Sequence, residues 1–415
     1  MTWDVIVVGA GPAGLLAATR AAERGRKTLL LEKNNKVGVK ILISGGARCN
    51  ITQETDRRGI VDAFGRNGRF LHSALAALDP EELVALINAE GVPTKIEQTG
   101  KIFPVSDKAS DVAHALERRL RRSGCKVSLE EPVLRFGFDE GGFKVETPGA
   151  SYSTEKLIIT TGGQSFPGSG TTGDGYAWAR ETGHSVANPT PALVPLTTDE
   201  SWVRELTGIT VPDVLLKVSE TSETPKFSGR KRPPSERGSV LFTHFGLSGP
   251  AVLNISRWVT GHANPGSLFL VCDFVPDKMQ QELDDLLQRA LREEGRKQVS
   301  GILAIFVPRR LAESLLARAG IASDQKGGNL SRPQRLSILS NLKALPVAIS
   351  GSLGFRKAEV TAGGVSLKEV DSRDMQSKLV PGLYFAGEIL DLDGLIGGYN
   401  FQSAFATGWL AGECV

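Results

Sequence analysis

The stretch that decides the fold is Asp4-Val-Ile-Val-Val-Gly9-Ala-Gly-Pro-Ala-Gly14, answered by Lys27-Thr-Leu-Leu-Leu31 and then Glu32. Residues 4–8 are short, β-branched and ended by glycine, which predicts a buried parallel strand. A helical pattern runs from Pro12 to about Gly25, and residues 27–31 predict a second strand. The whole is one β-α-β unit. Its turn carries GxGxxG in full context: Gly9 makes the tight turn, Gly11 lets backbone approach a pyrophosphate, and Gly14 lets helix and strand pack closely. Ala10, Pro12 and Ala13 complete the loop, and N–H groups at the helix start suit phosphate charge. Glu32 is placed to accept hydrogen bonds from the ribose of an adenosine lacking a 2′-phosphate, with Lys33 beside it.

The next segment, Lys33 to Asn50, is rich in glycine and polar groups. Lys40, Ser44, Gly45, Arg48, Cys49 and Asn50 suit a long dinucleotide such as FAD, whose pyrophosphate and flavin ends both need donors. Cys49 has no partner cysteine nearby and reads first as a structural thiol. A strand over 153–159 ends in Thr160-Thr161-Gly162-Gly163, a second place where backbone can close on a cofactor, and Val133 joins the same candidate set. Near the end of the chain, Leu383-Tyr-Phe-Ala-Gly387-Glu388, Asp391 and Gly397-Gly398-Tyr399-Asn400 open a last helix. That helix start offers partial positive charge to the flavin edge that becomes negative on reduction.

The rest of the sequence sets the frame. At ~150 residues per domain, 415 residues predict two to three domains. Glycine is in excess, at about 11 % against a typical ~7 %, while 40 % hydrophobic and 23 % charged residues are ordinary for a folded chain. No apolar run approaches the length of a membrane span. A formal charge of +3 does not demand a nucleic-acid partner. Cys49, Cys125, Cys272 and Cys414 lie far apart, which fits neither a disulfide framework nor a zinc site; no metal is expected. The first residues lack a signal-peptide pattern, so a reducing cytoplasm is the expected compartment. Residues 68–90 and 109–123 predict amphipathic helices, and 142–147 a strand. Short strands fill 190–275, with an exposed polar linker at 221–238, and 278–345 is helical. The fold class expected is α/β: a discontinuous Rossmann-like FAD-binding domain, 1–190 and 346–415. Its insertion has a β-rich part, 191–277, and a helical part, 278–345.

Several motifs together resemble the HI0933-like flavoprotein family, also called BaiN-like or aminoacetone-oxidase-like. They are Gly9–Gly14, Lys40-x-x-x-Ser44-Gly-Gly-Ala-Arg-Cys-Asn50, Thr161-Gly-Gly-Gln-Ser165-x-Pro167 with Gly173-Asp-Gly175, Leu241–Pro250, Val360–Val365 and Gly387–Asn400. The resemblance spans nearly the whole chain. Two positions depart from its pattern: Ala47, where a third glycine is usual, and Gln53, where asparagine is usual. It implies bound FAD and an inserted domain over the isoalloxazine. It also implies one of three activities: reduction of a conjugated C=C, oxidation of a small aminoketone, or reduction of uracil in ribosomal RNA to dihydrouracil.

Chemistry beyond the cofactor is less marked. No second strand–GxGxxG–helix is visible, so NAD(P)H is expected to visit the flavin transiently rather than own a domain. His244, in a glycine-bearing turn, is the candidate proton donor, because reducing an enone-type C=C needs a proton as well as a hydride; His184, His72 and His114 rank below it. Arg118 to Arg122 reads as a solvated helix face. The segment with Lys226, Arg230, Lys231, Arg232 and Arg237 suits phosphate contact if RNA is the substrate. The readings left open are an FAD-dependent C=C reductase of a small molecule, an rRNA dihydrouridine synthase, an amine oxidase and a non-catalytic flavin carrier.

Overall fold

The computed structural model describes residues 2–139, 141–223 and 225–415. It divides into two units, Met1–Pro191 with Glu359–Val415, and Ala192–Ala358. The first unit is built on a seven-stranded sheet. Thr2–Val8 lies between Thr28–Leu31 and Ser151–Ile159, parallel to both. Lys126–Ser128 extends the sheet beyond Thr28–Leu31, and Leu383–Phe385 pairs parallel with the end of Ser151–Ile159. Two antiparallel strands, Gly142–Glu146 and Arg135–Asp139, complete it. Strands of the parallel part are apolar throughout (Val5, Ile6, Val7, Leu30, Ile158 and Ile159 are fully buried), as expected where both faces are covered.

The helix after the first strand, Pro12–Glu23, leaves only Arg20 and Glu23 unburied. Its partner is the closing helix, Tyr399–Cys414. The two meet backbone to backbone: a Cβ on Gly408 would stand 2.1 Å from the carbonyl oxygen of Ala13, and one on Gly412 would stand 2.4 Å from that of Ala17. Small residues at this spacing let the last helix seat beside the first, which brings the two glycine-led turns of the sequence to one end of the sheet.

Expected and observed elements agree closely over 4–8, 12–25, 27–31 and 109–123. The helix expected over 68–90 is broken instead into Gly65–Leu71, His72–Ala77 and Pro80–Ala89. Pro80 cannot continue a helix from the preceding turn, and Asp79 starts a new one through a capping box with Glu82.

The second unit carries an antiparallel sheet ordered Leu345–Ala348, Phe269–Asp273, Thr210–Ser219, Ser235–Thr243, Gly246–Ser248, Leu196–Thr197, Gly351–Ser352. The return to the first unit therefore falls at Glu359, not at residue 346, because Leu345–Ala348 and Gly351–Ser352 complete this sheet. Its strands and helices share one core, in which Leu270 and Phe242 of the sheet join Leu283, Leu287, Leu315 and Ile338 of the helices. The linker expected through 238 stops short, since Ser235 already pairs with Lys217. No helix among the described residues is long and apolar enough to cross a membrane.

Candidate functional site

The chain leaves Thr2–Val8 toward Thr28–Leu31 on one side, and Ser151–Ile159 lies on the other. Doubly wound sheets bind ligands at such a reversal, outside the carboxyl ends of the strands. A cleft enclosing about 1080 Å³, open mouth included, lies there in the first unit. Val8 and Gly9 line it from one strand end, and Thr160, Thr161 and Gly162 from the other.

The turn is dictated by sterics. Gly9 has φ +100°, and a Cβ there would meet the Thr160 carbonyl at 2.8 Å. A Cβ on Gly14 would stand 1.8 Å from the Gly9 oxygen, so Gly14 is fixed by packing and does not itself line the cleft. Gly11 differs: its φ is −75°, and a Cβ would meet nothing within 4 Å. Its backbone is bared to the cleft, as an approaching pyrophosphate requires. Ala10, Pro12 and Ala13 line the cleft beside it.

Glu32 is buried, with Oε2 accepting from Ala10 N at 2.6 Å and Oε1 from Asn34 N and Nδ2 at 2.8 and 2.7 Å. A carboxylate has about four acceptor positions. Three are used by the protein, so one remains for a ribose hydroxyl rather than the two a diol would use. Lys33 lines the cleft while paired with Asp174 at 2.5 Å and Thr172 at 2.6 Å. Val133 lines it too.

Opposite, Lys40 Nζ reaches Glu388 Oε2 at 2.5 Å and Ser165 Oγ at 2.8 Å. Glu388 Oε1 accepts from Ser165 Oγ at 2.6 Å and from Thr361 N at 2.9 Å. Gly387 (φ +81°) sits against Ala13, where a Cβ would approach Ala13 Cβ to 2.8 Å. Asn400 lines the cleft, and its amide also staples the turn before it through Gly394 and Leu395. The first N–H groups of its helix carry no side-chain cap.

Other expected residues serve the protein itself. Gly163 makes room for the Thr361 hydroxyl, 2.3 Å from where a Cβ would lie. Gly397 and Gly398 (φ +140° and +97°) turn against Gln53 and Thr52, with Tyr399 half-buried beside them. The helix Val39–Ala47 kinks at Ser44, Gly45 and Gly46, and Ser44 Oγ donates to the Ile41 carbonyl. Arg48 is held by Glu97 and Asp107 and lies 4.0 Å over the Phe103 ring. Burial pushes the Cys49 thiol up to about 12, so it stays protonated. Asn50 and Asp391 are likewise outside the cleft lining; Asp391 is raised above the ordinary carboxylate range by burial and by Asp393.

His244, the expected proton donor, lies in the turn between Ser235–Thr243 and Gly246–Ser248 of the second unit, edge-on to Phe245. His184 is buried and tied to Ser377 and Thr182. The basic helix face is consumed by Glu23, Glu90 and Glu117. Arg237 is held by Asp213 and Asp277, and Arg230 lies 3.9 Å over Trp258, whereas Lys231 and Arg232 are exposed. Glu131, Trp178, Glu359 and Phe401 line the cleft without having been expected to. Glu359 stands one residue before the Val360–Val365 motif, which was the available signal.

FAD fits this donor set. The buried Thr161 Oγ1 and Glu131 Oε1, both of lining residues, have no hydrogen-bond partner among the described residues, and Gly11 opens a side-chain-free wall. No group of acidic, histidine or cysteine side chains among the described residues is arranged to hold a metal ion.

Residues 3–414 match the HI0933-like protein Rossmann domain family, and the chain belongs to that family. It is 34% identical over 414 residues to a ribosomal RNA dihydrouridine synthase of Escherichia coli, covering 99% of this chain and 97% of the relative. To a protein of the same name from Haemophilus influenzae it is 31% identical, over 97% and 96% of the two chains. To a 3-dehydro-bile acid delta(4,6)-reductase of Clostridium scindens it is 30% identical, over 98% and 97%. The chain is an FAD-dependent oxidoreductase of α/β fold.

Proposed function

We propose that this chain, as a member of the HI0933-like family, reduces a carbon–carbon double bond conjugated to a carbonyl, and that its substrate is a uracil of ribosomal RNA. The observation that carries the reading is end-to-end similarity to two proteins named for that reaction. In uracil the C5=C6 bond is conjugated to C4=O, so C6 accepts a hydride and C5 then takes a proton. FAD, when bound and reduced by NAD(P)H, would supply the hydride. Around it, Gly9 to Ala13 hold the pyrophosphate, Glu32 accepts from ribose, and the Lys40–Glu388–Ser165 cluster fixes the far wall. Electrons come from NAD(P)H, which visits the same cleft, since no second strand–GxGxxG–helix occurs in the sequence. Ribosomal RNA and NAD(P)H as partners would support a cytoplasmic setting. Lys231 and Arg232 offer exposed cations to phosphate, and RNA affinity should therefore fall with salt.

The test is nucleoside mass spectrometry of rRNA from cells with and without the gene. Loss of dihydrouridine on deletion, restored by complementation, is expected; unchanged dihydrouridine overturns the rRNA reading. The bile-acid-reductase relative favours a second reading, a small unsaturated ketone as substrate. That reading predicts NADPH oxidation by such ketones with no response to RNA.

A further inference from the structure

We propose that Glu359 is the proton donor of the reduction, delivering its proton to the carbon next to the substrate carbonyl. The proposal rests on the reductase reading above. Hydride addition to the β-carbon moves the π electrons of the C=C onto the carbonyl oxygen, leaving an enolate. The α-carbon must then take a proton, so a protonated acid has to stand where substrate meets the cofactor. The carboxyl O–H bond of Glu359 breaks, a C–H bond forms at the α-carbon, and water at the cleft mouth reprotonates the carboxylate.

The lining of the cleft leaves few acids free for this. Glu32 accepts three hydrogen bonds from Ala10 and Asn34 and keeps its last position for ribose, and Asp174 is held by Lys33 and Thr172. Glu388 is paired with Lys40 at 2.5 Å. Glu131 donates its own N–H to the Glu32 carbonyl, so it belongs to the ribose end. Glu359 lines the cleft with Lys40 and Glu388, and its carboxylate makes no hydrogen bond or ion pair with the described residues.

Its backbone, by contrast, is firmly placed. Ser165 Oγ lies 3.4 Å from the Glu359 carbonyl, and the Thr361 hydroxyl, two residues on, accepts from Gln164 N and Ser165 N. The side chain is thus a free acid on a fixed post. Glu359 keeps contact with solvent, and partial desolvation by the protein around it raises its pKa, against the pull of Lys101 and Lys40. Lys101 and Lys40 are the charged groups that act on it, and Glu388 lines the same cleft. The protonated form is the reactive one, so reoxidation of the flavin by substrate should slow as pH rises through the Glu359 pKa.

The test uses the holoprotein and its Glu359→Gln and Glu359→Asp variants. With Glu359→Gln, FAD content and the rate of bleaching by NADPH should stay within about twofold of wild type. Reoxidation by a uridine-containing rRNA fragment should fall ~100-fold or more, with partial rescue in Glu359→Asp. A readout independent of turnover is the pH titration of the oxidised flavin absorption spectrum without substrate. Wild type should show a perturbation that Glu359→Gln lacks. A wild type that ignores RNA but is reoxidised by 2-cyclohexen-1-one overturns the RNA reading alone, and Glu359 is then judged with that enone. Wild-type reoxidation in Glu359→Gln, or an unchanged spectral titration, overturns the assignment of Glu359.

Discussion

Lys40 Nζ lies 2.5 Å from Glu388 Oε2, across 348 residues of chain, and both side chains are largely buried. Their contact ties the segment after the second strand to the turn before the closing helix, with Ser165 as a third member. Removing the cation strands a carboxylate that keeps its neutral donors but loses its countercharge. Lys40→Met should therefore cost about 2 kcal/mol of stability, read as a shift of the urea midpoint. Adding Glu388→Gln should recover part of that loss, giving a coupling of about 1 kcal/mol in the double-mutant cycle. Additive single effects would show that the pair contributes nothing as a pair.

The glycines of the turn separate packing from ligand approach. Gly14→Ala places a methyl on the Gly9 carbonyl, backbone against backbone, and should destabilise by about 3 kcal/mol with or without cofactor. Gly11→Ala has ordinary φ and open space, so stability of the apoprotein should change by less than ~0.5 kcal/mol. Its methyl projects where the pyrophosphate approaches, and FAD affinity should fall about tenfold or more, by flavin fluorescence quenching. Equal loss of stability in both variants would contradict this division.

How much of this was legible in the sequence follows from the range of each interaction. Gly9, Gly11 and Glu32 could be read because a β-α-β unit is local: strand, turn and second strand set one another within thirty residues. The Lys40–Glu388–Ser165 cluster could not, since its members meet only after the sheet and closing helix assemble. The pattern predicts backbone closing on flavin at Gly163, Gly397 and Gly398, and the structure sets the Cβ side of each against Thr361, Gln53 and Thr52. Glycine signals that something comes near, and the pattern alone does not tell ligand from protein. Ala47 stands where the resemblance expects glycine, and its φ of +66° is a conformation that glycine adopts without strain; nothing in the structure explains the alanine.

The cysteines give a redox-independent check on burial. Cys49, Cys125 and Cys272 are buried and each is pushed up to about 12, while Cys414 is exposed with a smaller rise. The thiolate is the nucleophile, so native protein with iodoacetamide at pH 8.5 should be labelled at Cys414 alone, faster as pH rises. The other three should react only after denaturation, by peptide mass spectrometry. Early labelling of Cys49 would place a reactive thiolate beside the candidate cofactor loop and refute its structural role.

His184 sets a pH dependence whose sign is fixed by burial. Its Nε2 lies 2.7 Å from Ser377 Oγ and its Nδ1 3.0 Å from Thr182 Oγ1, with Phe385 edge-on at 4.9 Å. Desolvation holds its pKa below the ordinary value of 6.5, despite Glu369 nearby. The folded state therefore favours the neutral ring, and the unfolded chain binds the proton more readily. The stability this contributes is complete above about pH 6.5 and is lost as pH falls from there through the folded-state pKa. His184→Gln lacks the titrating group. It should be less stable than wild type at pH 7.5 by about 1–2 kcal/mol through weakened hydrogen bonds, yet lose less between pH 7.5 and 5.5. Urea midpoints of the two proteins at both pH values check this, and parallel losses would assign the acid sensitivity of this region to other groups.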